Sequence, residues 1–459
     1  MAETETATAS IESLTPLDPA QLAADHPTAD ALVAAARTMR PMLREKQAAH
    51  EQLGGYDAET HQAFLDAGFY LILQPERFGG YGLGIEALMR VGIEISRGDP
   101  GVGWSFVLGA GHSFHVGAFY GEAGQAELFG SGPFIAPGRT IPHGRADQVD
   151  GGWRVSGTWD YCSGSMWSTH VLVVGPAFDT DGAMTGMRMY ALPRSDYEIL
   201  DDWGGDATIG MAASSSNSIR IDDAFVPDHL SISYDFREFE LGGPQHVGFA
   251  LHTSPDYIGR TMTYFNAELV ATQIGAAWAA VDEYEELMAE KMASFPPRVA
   301  RREAPEYHRW FGQMLALVDS AETLYLGGVR QYVALAELWM REGVPFTPEQ
   351  DARLRSTIQT AARPATEAGE LDRLMAADPA LSSRFDQWRR LFDALGQMPK
   401  AYPPEGLVAS VMANIPPAPA GQPDPQSRVI GVGSDFSRET IPAPVLRKSR
   451  SMASLGGFT

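Results

Sequence analysis

Hydrophobic periodicity changes twice along this chain, and the order of the changes narrows the folds open to it. Over 27–130 apolar residues recur three or four apart, so that Leu32, Val33, Ala36, Met39 and Leu43 fall on one helical face. That pattern breaks only briefly, at Gly54-Gly55 and at Gly79-Gly80-Tyr81-Gly82. Over 131–235 it gives way to short runs rich in Val, Ile, Trp and Tyr, parted by Gly, Pro and Asp: WRVSGTWDYCSG, THVLVVGPAF, MRMYALP and SNSIRIDDAFVP. Strands of about five residues at that spacing predict a small antiparallel barrel or sandwich. Helical spacing returns over 236–398, after a loop at 242–255. There Met314, Val318, Ala321, Tyr325, Gly328 and Tyr332 form one stripe, and Leu269, Gln273, Ala276, Ala280 and Tyr284 another. The length suffices for a four-helix bundle. The expected fold class is therefore α+β, mostly α: an N-terminal helical domain, a central β domain and a C-terminal helical bundle. Residues 1–26 read as a disordered leader. Residues 399–459, rich in Pro, Ala, Gly and Ser with a basic cluster at Arg447, Lys448 and Arg450, read as an extended tail, either an arm across a partner subunit or disordered.

A chain of 459 residues divides into two or three packed parts. Its 44% hydrophobic and 20% charged residues give it material for a large core. A formal net charge of -23 repels nucleic-acid phosphates and anionic lipid, which sets nucleic acid aside as a partner. The single cysteine, Cys162, rules out an internal disulfide framework and any Cys-based metal site; it fits a reducing cytoplasm and reads as a small core residue. The first twenty residues have neither the basic nor the apolar region of a signal peptide, and no apolar run approaches the ~18 residues of a membrane span. The expected location is cytoplasmic, with no membrane contact and no metal.

Four segments carry a resemblance. In YDAETHQAFLDAGFYLILQPERFGGYG, a helix ends at Ala67-Gly68 and runs into the turn Pro75, Glu76, Gly79, Gly80, where glycine permits the positive φ of a tight turn. RGDPGVGWSFVLGAGHSFHVGAFYGEAGQAELFG holds Trp104 and, eight residues later, His112. On the residues alone a histidine on an apolar helix reads first as a core residue, and His115 is an equal candidate for a role. IAPGRTIPHGRADQVDGGWRVSGTWDYCSGSMWSTHVLVVG carries Gly144, Ala146, Gly151, Gly152, Trp153, Ser156, Gly157, Trp159, Tyr161, Ser163 and Gly164. DDWGGDATIGMAASSSNSIRIDDAFVPDHL carries Trp203, Gly210, Met211, Ser214, Ser216, Asn217, Val226 and Pro227. Together these resemble the acyl-CoA dehydrogenase-like superfamily, and within it the group D two-component flavin-dependent monooxygenases, which include the oxygenase component of 4-hydroxyphenylacetate hydroxylase.

The resemblance covers residues 27–396 and implies a reduced-flavin enzyme, using FMNH2 or FADH2 and O2 through a C4a-hydroperoxyflavin to oxygenate a small organic substrate. It implies that His112 enters the substrate pocket, that the Ser163 hydroxyl lies near the flavin N5, and that Pro137, Gly138, Arg139 and Thr140 run along the isoalloxazine edge. Trp104, Tyr161, Gly164, Ser214, Ser216, Asn217 and Arg389 are the further flavin-binding residues it assigns. A hydroxyl held at N5 in a dry pocket slows loss of the hydroperoxide. It also implies a homotetramer or homodimer. No GxGxxG motif in a βαβ setting is present, so a separate flavin reductase must supply the reduced flavin.

The chain departs from the family at several points. Ser214-Ser215 stands where Thr-Gly is usual, so the backbone at Ser215 is expected to turn less freely. Ala376-Ala377-Asp378 replaces Ala-Gly-Ser; in the segment of Arg384, Trp388 and Arg389, Arg390 stands in place of an Asp, and Gln397 in place of a His. Asp378 near a flavin phosphate is electrostatically unfavourable. Without the second histidine, the substrate need not be a simple phenol. Two other readings stay open: a flavin dehydrogenase or oxidase, for which no carboxylate base motif is visible although Glu370 and Asp393 are nearby acids, and a flavin-free binding scaffold.

Overall fold

The computed structural model describes residues 26–205, 208, 210–234, 242–293 and 298–369. Helix α1, Ala29–Leu53, begins where the Thr28 hydroxyl accepts from the Ala31 amide at 3.2 Å and ends at Gly54 in the left-handed region. It is followed by α2, Ala58–Asp66, capped by Asp57, and by α3, Gly84–Gly98. Helix α4, Pro100–Gly111, starts immediately after α3 because Asp99 closes one helix and caps the next: its carboxylate accepts from the amides of Gly101 and Val102, and Pro100 occupies the first turn. The same carboxylate meets His50 Nδ1 at 3.1 Å, tying the end of α1 to the start of α4. Short helices α5, Ser113–Phe119, and α6, Glu122–Phe129, complete the first helical block.

The strands are β1 Gly138–Arg139, β2 Arg145–Val149, β3 Gly152–Trp159, β4 His170–Phe178, β5 Met184–Pro193, β6 Glu198–Ile199, β7 Ile219–Pro227 and β8 Ser231–Ser233. They form one eight-stranded sheet in the order β6-β7-β3-β2-β4-β5-β8, with β1 beside β4. Most pairings are antiparallel, as expected. The exceptions are β1 on β4 (Gly138↔Leu172) and β2 on β4 (Ala146↔Ala177), both parallel. Strand β4 is a nearly unbroken buried apolar run, and such a run does not carry the alternation that marks a one-sided antiparallel strand. Trp159 is wholly buried in this domain's core against Val171, Val173 and Val174, and its indole donates to the Val174 carbonyl at 2.9 Å.

After α7, Val247–His252, come three long helices: α8 Thr261–Glu290, α9 Pro305–Glu342 and α10 Pro348–Gly369. They pack on one another, and α8 also lies along α3 and α4. The stripe Met314, Val318, Ala321, Tyr325, Gly328, Tyr332 is buried as expected. Helix α8 is buried on more than one face, so Leu269 is only half-buried while Tyr264, Glu268 and Ala271 on another face are enclosed. The remainder of the expected bundle, from 370 on, lies outside the described residues. Among the described residues no helix is long and apolar enough to cross a membrane.

Helices α3, α4 and α8 meet at Ser96. A methyl group on Gly275 of α8 would collide with Ser96 Cβ and fall 2.5 Å from the Ile93 carbonyl oxygen, and one on Gly103 of α4 would collide with the Ser96 side chain. Gly275→Ala is therefore expected to destabilise the protein by about 1–3 kcal/mol despite alanine's better helix propensity. Gly312→Ala on the exposed face of α9, where a methyl meets nothing within 4 Å, should instead gain about 0.5–1 kcal/mol. Paired thermal or urea melts check both signs.

Candidate functional site

Strand β3 ends at Trp159, and the chain turns at Tyr161, a non-glycine residue at φ 53. It then runs back alongside residues 214–217, bonded by Cys162 N to Asn217 O, Gly164 N to Ser214 O and Ser165 N to Ser215 O, each at 3.1 Å. Gly164 sits at φ 86 and faces α4 so closely that a methyl there would lie 2.8 Å from the Ser105 carbonyl oxygen and 3.2 Å from Gly109 Cα. This approach lets α4 reach the turn. The Trp104 indole donates to Ser163 Oγ at 3.1 Å; Ser163 Oγ and Ser216 Oγ are 2.7 Å apart, and so are Ser216 Oγ and Ser214 Oγ. Trp104, Ser214 and Ser216 are buried, whereas Ser163 is half-buried. Four residues from three separate segments thus form one hydrogen-bonded chain that opens at Ser163.

His112 caps α4 on the same side. Its Nδ1 lies 2.5 Å from the Leu108 carbonyl and 2.9 Å from the Ala136 carbonyl, and carbonyls only accept, so Nδ1 carries the proton. Nε2 is then a lone pair, and among the described residues it has no hydrogen-bond partner. Burial pushes the imidazole down to about 4, against the upward pull of the two carbonyls. Strand β1 passes directly over it: a methyl on Gly138 would collide with Nε2. Pro137 is buried, with its carbonyl accepting from Leu172 N at 2.9 Å, and Gly138, Arg139 and Thr140 are half-buried.

The other expected residues divide. The Arg139 guanidinium is held by Asp160, through Nε at 3.1 Å and Nη2 at 2.8 Å, and lies 5.7 Å over the Tyr161 ring. Tyr161 is exposed, its ring edge-on to Trp203 at 5.8 Å. Asn217 is turned away: its amide donates to Leu200 O at 2.8 Å, and its side-chain oxygen accepts from Ser165 Oγ at 3.2 Å, so it pins backbone. Arg389, with Glu370, Asp378, Arg384, Trp388, Arg390, Asp393 and Gln397, lies outside the described residues. Ser215 does turn as a glycine would, at φ 49 and ψ 46, and its buried hydroxyl finds no partner among the described residues. The departure from Thr-Gly is accommodated with strain.

Behind His112 lies a polar group of which the sequence pointed to His115 and left Glu268 unnoticed. The His115 ring stacks on Phe265 at 4.9 Å and lies 5.4 Å from His112; both its nitrogens are buried without partners among the described residues, and burial holds it well below the ordinary histidine range. Glu268 is enclosed against Gly111, and the neighbouring Tyr264 phenol donates instead to the Gly111 carbonyl at 2.8 Å. Burial raises the Glu268 carboxyl well above its usual range. The signal was a lone Glu in register with Tyr264 and Ala271 on α8, i, i+4, i+7. Cys162 is sealed in the β core, its thiol pushed up to about 12 by burial. No group of metal-ligating side chains occurs among the described residues.

Residues 28–128 match the family model "Acyl-CoA dehydrogenase, N-terminal domain". The flavin-dependent monooxygenase oxygenase subunit HsaA of Mycobacterium tuberculosis is 26% identical over 353 residues, spanning 77% of this chain and 86% of that protein. Residues 28–128 are therefore an acyl-CoA dehydrogenase N-terminal domain, and the chain as a whole is similar to flavin-dependent monooxygenases. A pigment production hydroxylase of Rhodococcus sp. is 29% identical over 269 residues, 58% of this chain; the match spans 66% of that protein, just under two thirds. The crystal structure of the HsaA monooxygenase from M. tuberculosis superposes with a TM-score of 0.71 at 24% identity, over 85% of this chain and 99% of that one, which shows the shared fold.

Two measurements probe the local energetics. Ser215→Gly removes left-handed strain of about 1–3 kcal/mol and an orphaned hydroxyl, against about 0.5–1 kcal/mol of extra unfolded-state entropy, so a net gain of about 1 kcal/mol is expected in urea denaturation. Glu268 binds its proton more tightly folded than unfolded, so its contribution to stability is fully present below the unfolded pKa and is lost as pH rises. Glu268→Gln, neutral at every pH, should therefore gain on the wild type as pH rises from 5 to 8; a constant difference would show that the carboxyl is ionised in the fold.

Proposed function

We propose that this chain is the oxygenase component of a two-component flavin-dependent monooxygenase. It takes reduced flavin, FMNH2 or FADH2, from a separate flavin reductase and oxygenates a small organic substrate, aromatic or heteroatom-containing, with O2. The names of the relatives support the reaction class. The observation that carries it to these residues is Ser163: a hydroxyl can make three hydrogen bonds, Trp104 and Ser216 fill two, and the half-buried side keeps capacity for a third. That fits the edge of a flavin ring bearing a nitrogen.

Bound there, reduced flavin supplies two electrons and the ring on which O2 is activated. Ser163 would hold the ring edge through its free hydrogen-bonding capacity, and so help retain the activated oxygen that the flavin would supply. His112 acts at Nε2, where a neutral imidazole accepts a proton from the substrate or orients it, while Nδ1 stays locked on two carbonyls. Arg139, spent on Asp160, contributes a fixed edge to the site rather than a free phosphate clamp. The dehydrogenase reading asks for an ionised carboxylate; at Glu268, the acid packed against the residue before His112, burial raises the carboxyl well above its usual range and disfavours the ionised form. The domain boundaries and cytoplasmic location read from the sequence, and the homotetrameric or homodimeric assembly implied by the resemblance, belong to this proposal.

Anaerobic titration should show tight binding of reduced FMN or reduced FAD; absence of binding by both overturns the reading. With substrate, His112→Asn should lower hydroxylation by roughly 10²-fold while leaving flavin affinity near wild type. Because His112 is neutral down to about 4, hydroxylation should be level from pH 6 to 8 with respect to this group and fall only as pH approaches 4. A loss centred near 6.5 would show an exposed imidazole instead.

A further inference from the structure

Resting on the reading that flavin binds at Ser163, we propose that Trp104, Ser216 and Ser214 are positioning residues that fix the direction of the Ser163 hydroxyl, and that their chain holds a proton in place without delivering one. The argument is one of donors and acceptors. An indole N–H only donates, so one Ser163 lone pair is permanently engaged at 3.1 Å. Ser163 is left with one hydrogen and one lone pair, to be divided between Ser216 and whatever lies on its half-buried side. Without Ser216 that division is open and the hydroxyl rotates; with Ser216 at 2.7 Å it has two discrete settings, and an outside donor or acceptor selects between them.

Ser214, 2.7 Å from Ser216, decides how firmly the setting is kept. It is wholly buried, and among the described residues its hydroxyl bonds only Ser216. The chain is thus a blind alley: Ser163 at the site, Ser214 sealed in the interior, with no onward group to exchange a proton with solvent. A path that supplied protons would also speed loss of peroxide, whereas a closed chain anchored by a donor-only indole orders the hydroxyl and isolates it. Asn217 next door makes the contrast clear, since its amide is spent wholly on Leu200 and Ser165.

The test uses the full-length protein with reduced flavin and measures H2O2 released per reduced flavin oxidised. Ser216→Ala should raise the peroxide fraction about fivefold, the worth of one hydrogen bond, with the dissociation constant for reduced flavin within about threefold of wild type. Ser214→Ala should act in the same direction and more weakly, and Ser163→Ala/Ser216→Ala should be no worse than Ser163→Ala alone. Independent multiplication of the two effects, or an unchanged peroxide fraction in Ser216→Ala, overturns the proposal. A second readout needs no flavin: the Trp104 indole N–H resonance should move in Ser163→Ala and, by a smaller amount, in Ser216→Ala. An unmoved resonance in both variants sinks the chain itself, whereas failure of reduced flavin to bind a protein whose resonance does move sinks only the functional reading. A solvent deuterium isotope effect on peroxide release that is large in wild type and abolished in Ser214→Ala would show a proton conduit and refute the holding role.

Discussion

Helix α4 is almost wholly buried, and four of its neighbours arrive against glycines. Ala213 meets Gly101, Ser96 meets Gly103, the turn at Gly164 meets Gly109, and Glu268 with Tyr264 meets Gly111. A methyl on Gly101, Gly103 or Gly111 would collide with its neighbour, and one on Gly164 would press on the backbone at Ser105 and Gly109, which interiors packed to crystal density do not absorb. Because α4 sits so close, its two large polar residues reach the β domain: Trp104 to Ser163 and His112 to Ala136. The site is a product of backbone proximity, with the serines of 214–216 delivered from the other side by strand-like pairing to 162–165.

Much of this was legible in the sequence. The order of periodicities gave the helical, β and helical blocks, and the stripe from Met314 to Tyr332 is buried as read. Trp104, Ser163, Ser214 and Ser216 were grouped by motif and do converge. Other features were hidden for physical reasons. Asn217 belongs to the same motif, yet its amide serves Leu200, because a motif specifies residue types and leaves open which way a side chain turns. Two parallel pairings escaped because a run such as His170–Phe178 carries no alternation from which to read direction. Glu268 was not singled out, because only the burial of α8 on several faces raises its carboxyl above the usual range.

The electrostatics of the site follow from burial more than from charge pairing. His61, His112, His170 and His252 are each lowered to about 4, with desolvation as the leading cause every time. Against a formal charge of -23, burial favours the neutral form of these imidazoles and of the Glu268 carboxyl. What the site offers is lone pairs and fixed dipoles, with donors and acceptors already set.

Cys162 adjoins Ser163 in sequence and faces the opposite way, into the β core. Sulfur is attacked by oxidants as the thiolate, and a thiol raised to about 12 and closed off from solvent offers almost none. It is the only cysteine in the chain. An enzyme that sheds peroxide through imperfect coupling would therefore tolerate its own by-product at the one residue with most to lose from sulfenic acid formation, which bears on operating lifetime rather than on rate.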